Sequence, residues 1–313
     1  MLKTISQAKQ TVTAPANAAP AKRIIPPKMK VVRGNQQGIE GINMLIFGTW
    51  GSGKTYTIKA LLEAGYKVLY LNTDLGGNGL KSFTIPMRAE GKVDLLENLA
   101  IIPPLEDVDD FVTFVDKPES VFPDIYTFDP DFIFWDGLHG FQQFHIAREI
   151  ADLETKDGIR TIEDEFSVSG KEWQLVRNAT LNSVHKFLKL NNKMTGKVWH
   201  RIITCQEDVR NAKNEIGSDP NHRGVEQKVP LIQGQAKQLM AGAFDLIIRT
   251  KKDNEGKYRY VFSGRDNSVQ AKKRGFDLPD EMPADFGKLW ETLAKQDGIV
   301  RDAKNETYVQ QES

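Results

Sequence analysis

Eight consecutive residues, Gly48-Thr49-Trp50-Gly51-Ser52-Gly53-Lys54-Thr55, match the pattern G-x-x-x-x-G-K-[ST] in full. Glycines at these spacings let the backbone curl until several N–H groups face one point. The start of a following helix adds the positive end of its dipole there, which suits a chain of phosphates. The ammonium of Lys54 can then reach the β- and γ-phosphates, and the Thr55 hydroxyl can ligate the accompanying Mg²⁺. The flanks have the required character. Met44-Leu45-Ile46-Phe47 is an apolar, strand-like run, and Tyr56-Thr57-Ile58-Lys59-Ala60-Leu61-Leu62 reads as a helix. Strand, glycine-rich loop and helix together imply a nucleotide-binding P-loop, with ATP and Mg²⁺ as cofactors.

Hydrolysis needs further groups: one to hold the metal, one to orient water and one to sense the γ-phosphate. Asp136 closes the apolar run Phe132-Ile133-Phe134-Trp135, which suits a second metal-holding residue. Its alternative role is to cap a helix, since Asp136-Gly137 can also open a turn. Asp74, in Leu71-Asn72-Thr73-Asp74-Leu75-Gly76-Gly77, lies just beyond the earlier apolar run Lys67–Asn72 and is the acid available at that strand end. It is the candidate carboxylate for polarising water; Asn72, an amide, cannot take a proton. The alternative is an Asp that only shapes the turn before Gly-Gly. Gln206 follows Arg201-Ile202-Ile203-Thr204-Cys205 and can contact the γ-phosphate, or can be a buried or capping glutamine. His139, His145, His185, His200 and His222 have no metal-ligand spacing and read as structural or surface residues. Trp50 is unusually bulky for its place in the loop.

Positioning these groups requires a sheet. Strands are expected at Asn43–Phe47, Lys67–Asn72, Leu99–Ile102, Phe132–Trp135, Trp199–Cys205, Asp245–Arg249 and Tyr258–Phe262, the last two joined by a turn at Asp253–Gly256. Helical spacing occupies Lys54–Ala64, Asp107–Asp116 and Glu172 to about Leu190. Unbroken apolar strands suit a parallel sheet covered on both faces. The expected fold is therefore a three-layer α/β P-loop domain with its site at the carboxyl ends of the strands. Residues 1–38 read as a disordered basic tail, because every charged side chain before Glu40 is Lys or Arg and the composition is simple. Residues 39–296 form the expected domain, and 297–313 a flexible tail.

Composition sets bounds on this reading. With 313 residues, 40% of them hydrophobic, the chain can bury a sizeable core. A net charge of zero gives no global attraction to nucleic acid, so such binding would depend on local patches. Cys205 is the only cysteine, which excludes an intramolecular disulfide and suits a reducing cytoplasm. No apolar stretch reaches membrane-spanning length, and no export signal is expected.

The order P-loop, Leu-Asn-Thr-Asp, Asp-terminated strand and Thr-Cys-Gln before a long polar stretch resembles the RecA-type ATPases. It is most similar to compact phage-encoded members related to Sak-type single-strand annealing proteins. The resemblance spans about Gly41 to Pro279 and implies a RecA-like core. It also implies catalytic roles for Asp74, where the family more often carries Glu, and for Gln206 as the polar strand-end residue. It places DNA-facing loops at Leu153–Gly170, which is mixed in charge and a poor phosphate-binding surface, and at Glu207–Pro230, for which a solvated surface loop is the alternative. The second stretch carries Arg210, Lys213, His222, Arg223 and Lys228. Gln270-Ala271-Lys272-Lys273-Arg274-Gly275 falls where RecA-like oligomers place cations that reach a neighbour's nucleotide, with Arg274 the better candidate; a plain basic hairpin is the alternative. The implied partners are single-stranded DNA, further copies of the chain in a ring or filament, and a single-strand-binding protein. The implied setting is phage recombination or replication in the host cytoplasm. The competing reading is a nucleotide-dependent switch or adaptor with slow turnover and no direct DNA binding. A small-molecule kinase is disfavoured, because no Arg-rich lid is evident.

Overall fold

The structure is a computed structural model that describes residues 41–74, 79–103, 105, 107–157, 170–212, 225–232, 240–263, 269, 271–296, 299–301 and 308–310. The basic N-terminal segment, Arg160, Lys213, His222, Arg223 and Gln270 lie outside these residues.

The central strands are β1 (Asn43–Gly48), β2 (Val68–Asn72), β3 (Leu99–Ile101), β4 (Phe132–Asp136) and β5 (His200–Ala212). They are followed by β6 (Val225–Pro230), β7 (Leu246–Lys252), β8 (Tyr258–Val261), β9 (Lys272–Lys273) and β10 (Glu281–Pro283). The spatial order is β10-β8-β7-β1-β5-β4-β2-β3, with β6 paired to β5 and β9 to β7. The run from β7 to β3 is parallel throughout, and β6, β8, β9 and β10 pair antiparallel.

Alternation along these strands builds the three layers. In β1, Leu45 and Phe47 enter one buried cluster while Met44 and Ile46 enter the other. In β4, Ile133 and Trp135 divide from Phe132 and Phe134 in the same way. Every residue of β4 is buried, so its sequence is a continuous apolar run closed by one acid. The first face is covered by α3 (Val108–Asp116), α6 (Leu138–Asp157) and α7 (Gly170–Phe187), with short helices α4 (Pro118–Val121) and α5 (Ile125–Phe128) between. The second is covered by α1 (Thr57–Glu63), α2 (Lys81–Ala89) and α8 (Phe286–Gln296). Asp107 starts α3 by accepting a hydrogen bond from the backbone N–H of Asp110 at 2.9 Å. Among the described residues, no helix is long and apolar enough to cross a membrane.

Phe111, on α3, is the pivot of the first cluster. Its ring lies 4.2 Å from Trp135 and 4.4 Å from Phe141, centroid to centroid, and is fully buried. Phe111→Ala should cost about 3–5 kcal/mol. Chemical denaturation will check this, and a loss below 1 kcal/mol would mean that the cluster closes around the gap.

Three segments differ from the sequence expectations. The stretch from Glu207 to Pro230, expected to be a loop, is largely an antiparallel ribbon that pairs Glu207–Ala212 with Val225–Pro230. Its residues are mostly polar; Val209 is exposed, while Val229 is buried. Backbone pairing holds it without an apolar face to mark it. In the other polar stretch, residues 153–157 continue α6. Part of the expected C-terminal tail is also paired, as β11 (Ile299–Arg301) with β12 (Tyr308–Gln310); β-branched and aromatic residues there favour strand pairing.

Candidate functional site

Strand register brings the chemistry together before any side chain is considered. Gly48 is level with Gln206 on one neighbouring strand and with Thr250 on the other. Asn72 is level with Asp136. All five positions sit at the carboxyl edge of the parallel strands, where an α/β sheet binds its ligands. The cleft there has a volume of about 560 Å³, a size that suits a nucleotide.

Between β1 and α1 the loop turns through left-handed conformations at Gly51 (φ 67°) and Gly53 (φ 90°), which a glycine adopts without strain. A Cβ at Gly48 would collide with the hydroxyls of Thr250 and Ser52. Those hydroxyls bond each other at 2.7 Å, pinning the loop to β7. The expected helix at Lys54–Ala64 is shorter at its start, because residues 54–56 form tight turns that keep the loop wrapped.

Lys54 folds beneath this loop. Its ammonium donates to the carbonyls of Gly48 and Thr49, each at 2.9 Å, and to Gln206 Oε1 at 3.3 Å. Burial pulls its pKa below the ordinary lysine value, and Asp136 is the strongest charge opposing that shift. A buried cation whose hydrogen-bond partners among the described residues are all neutral is well placed to receive an anion. Thr55 Oγ1 donates to Asp136 Oδ2 at 3.0 Å, which sets both candidate metal-holding oxygens on one wall. Mg²⁺ takes few protein ligands and completes its shell with phosphate and water, so this pair is sufficient. The loop, the cation and the oxygen pair therefore fit a magnesium nucleotide.

Asp136 does not cap α6. Its carboxylate also accepts from Tyr70 at 3.0 Å and from Thr204. Burial and the charge of Asp136 push the Tyr70 phenol pKa up, so Tyr70 remains a proton donor at neutral pH. Gly79 packs on this carboxylate, and a Cβ there would lie 2.7 Å from Asp136 Oδ2.

Asp74 lines the same cleft just beyond β2. Asn72 shapes its turn: Asn72 Oδ1 accepts from the Asp74 N–H at 2.9 Å. His139 Nε2 lies 3.8 Å from Asp74 Oδ1, and the His139 ring meets Trp50 edge-on with centroids 6.3 Å apart. Burial lowers the His139 pKa, which favours the neutral ring at pH 7. His139 is thus at the cleft, not merely a structural or surface histidine; three-dimensional proximity to Asp74 carries no spacing signal in sequence.

The structure brings Gly48, Thr49, Trp50, Gly51, Ser52, Gly53, Lys54, Thr55, Asp74, Asp136 and Gln206 to one place. Arg274 is elsewhere. β9 pairs with the start of β7, and the Arg274 N–H donates to the Asp245 carbonyl, at the amino end of the sheet. Lys272 donates to the carbonyls of Ala241 and Phe244, and Lys273 to that of Leu278, so their ammonium groups serve the local fold. The Arg274 guanidinium is exposed, with Asp245 Oδ1 4.0 Å away. Tyr70, Thr204, Thr250, Tyr258 and His139 complete the cleft or its supports and carry no motif that marks them as site residues in the sequence. Tyr70 and Thr204 could have been found by noting polar groups at strand positions next to the acid.

A parallel sheet sandwiched by helices, with this loop at its carboxyl edge, defines a three-layer α/β P-loop domain. The family described as "AAA domain" matches residues 40–275, and the chain belongs to it. The domain is therefore of the AAA ATPase type, a family of nucleotide-binding and nucleotide-hydrolysing proteins. No curated protein matches the chain.

Proposed function

We propose that this is a Mg²⁺-dependent, RecA-like ATPase that acts on single-stranded DNA in phage recombination or replication. One observation carries the reading. Gln206 bonds the Lys54 ammonium through its side chain, and its carbonyl accepts from the Leu231 N–H at 2.7 Å. Gln206 is also where β5 leaves the main sheet and becomes the polar ribbon with β6. Both strands of the ribbon are thus tied at their roots to the residue beside the phosphate site. A shift of Gln206 on hydrolysis would move the surface to which Arg210, Lys213, Arg223 and Lys228 belong in sequence.

When bound, Mg²⁺ and ATP supply a polarised γ-phosphoryl group and the charge that neutralises its oxygens. Lys54 would balance charge on the β- and γ-phosphates. Thr55 and Asp136, whose side chains meet on one wall of the cleft, would hold the metal. Asp74 would orient the attacking water and accept its proton, on a turn that Asn72 fixes through the Asp74 backbone and with the His139 ring alongside. Gln206 reads whether the γ-phosphate is present.

The test is ATP turnover with and without single-stranded DNA, together with binding against salt concentration. Stimulated turnover is expected, with affinity falling steeply as salt rises. Neutralising Arg210, Lys213 and Arg223 together should reduce the log–log salt slope by about 2, the scale for three released counterions on a single strand. Turnover indifferent to DNA, with no binding at low salt, would return the chain to the switch or adaptor reading.

Arg274 is proposed to act on a neighbouring subunit's nucleotide. Four residues of β7 separate the Leu246 level from Thr250 beside the loop. That is about 13 Å of strand, and it separates Arg274 from its own cleft. Arg274→Ala should lower turnover roughly a thousandfold while leaving ATP bound, as for loss of a cation donated in trans. Mixing it with Lys54→Ala should restore part of the activity through mixed interfaces. A mixture as inactive as its components would remove Arg274 from this role.

A further inference from the structure

We infer that Tyr258 and Tyr56 form a stacking platform for the nucleotide base, at the end of the cleft opposite the catalytic carboxylates. The inference rests on the nucleotide reading above and adds how the base is held.

The direction of the ligand follows from the order of the strands. Gln206, Asp136 and Asp74 belong to β5, β4 and the end of β2, all on one side of the loop strand β1. The reacting end of a triphosphate must face them. The opposite end must then point toward β7 and β8, on the other side of β1. Tyr258 opens β8 there and lines the same cleft as the phosphate loop. Its ring reaches the loop itself: a Cβ built on Gly53 would lie 3.3 Å from Tyr258 Cδ1. Tyr56, the residue after Thr55, lines the cleft too. Both rings are large hydrophobic groups left open, with Tyr56 44% and Tyr258 41% exposed.

Each ring has a lysine at one side. The Lys252 ammonium lies 4.9 Å from the Tyr258 ring centroid, and that of Lys59 lies 5.5 Å from the Tyr56 centroid. A cation over an aromatic face holds the ring in place and draws electron density toward itself. A ring so polarised stacks well on an electron-rich base. Tyr258 is further fixed through its backbone, pairing with Lys252 in the hairpin and accepting from the Ala284 N–H at 2.9 Å. A platform on a paired strand is better defined than one on a free loop. Stacking is tolerant of sequence because every base has a π-face, so this platform favours purines by area more than it distinguishes adenine from guanine.

Isothermal titration of the full chain with Mg²⁺-ATP and with Mg²⁺-tripolyphosphate separates the two ends of the ligand. The unmodified protein should bind ATP more tightly than tripolyphosphate, and ATP and GTP within about tenfold of each other. Tyr258→Ala should weaken ATP about tenfold and leave tripolyphosphate unchanged, the scale of one lost stacking contact. Tyr258→Phe should bind like the parent, whereas Tyr258→Leu, which keeps bulk without a π-face, should resemble the Ala variant. Tyr56→Ala combined with Tyr258→Ala should bring ATP down to the affinity of tripolyphosphate. If the ratio of the two affinities is the same in the parent and the double variant, the platform is wrong while the phosphate site stands. If the parent binds neither ligand, both readings fall together.

Discussion

Lys54→Ala should abolish measurable ATP turnover, with an expected loss of at least about a hundredfold to a thousandfold. That is the usual scale for removing one preorganised charge from a transition state. The expectation comes from how Lys54 is held. Its ammonium is buried beneath the loop, yet among the described residues its hydrogen bonds go to two carbonyls and an amide oxygen and to no carboxylate. The charge has been desolvated at a cost reflected in its lowered pKa. A fold tolerates that cost where an anion is to be received. Ala in its place removes the cation, but the loop keeps its glycine turns and its Ser52–Thr250 bond. The variant should therefore melt near the parent temperature, and nucleotide titration should show the weakened phosphate contact. Turnover at the parent rate in a folded Lys54→Ala protein would overturn the phosphate-site assignment.

Much of the site was legible in sequence because its parts obey local rules. The phosphate loop needs glycines at fixed offsets, and β4, buried throughout, had to be apolar up to the one acid that ends it, Asp136. The three-layer fold follows from the same continuous strands. What remained hidden depends on register between strands distant in the chain. Thr204 and Tyr70 look like ordinary strand residues until β5 and β2 flank β4 and turn both hydroxyls onto one carboxylate. Thr250 becomes a support of the loop only through the pairing of β7 with β1. His139 reaches Asp74 because α6 starts immediately beyond β4 while the Asp74 turn follows the adjacent β2. The β5–β6 ribbon was concealed for the opposite reason. It is held by backbone pairing, with Val209 exposed and Val229 buried among mostly polar neighbours, so its overall polarity resembles that of a loop.

The two acids are separated by substitutions that remove charge and keep shape. Asp136 sits among hydroxyl donors: Thr55 and Tyr70 bond one oxygen, and Thr204 bonds the other. Asn at 136 retains one acceptor, and a hydroxyl can rotate to accept from the new amide, so the fold should hold. The negative charge opposite Thr55 is gone, however, and with it the means of holding a divalent cation. Asp136→Asn should therefore lose Mg²⁺-dependent nucleotide affinity and turnover together. Asp74 is different in kind. It lies beyond the strand, on a turn fixed by Asn72, and has no hydrogen bond to Thr55 or Lys54 among those described. Its proposed task begins only when a water must be aligned and deprotonated. Asp74→Asn should keep ATP affinity within about twofold and lower kcat by roughly a hundredfold or more, the contribution of a positioned base. Affinity and kcat measured separately on both variants distinguish the roles, because metal-holding alters both quantities and water activation only the second. If the two variants lose nucleotide affinity equally, Asp74 belongs to the binding apparatus, and the base must be sought in another group on the cleft wall.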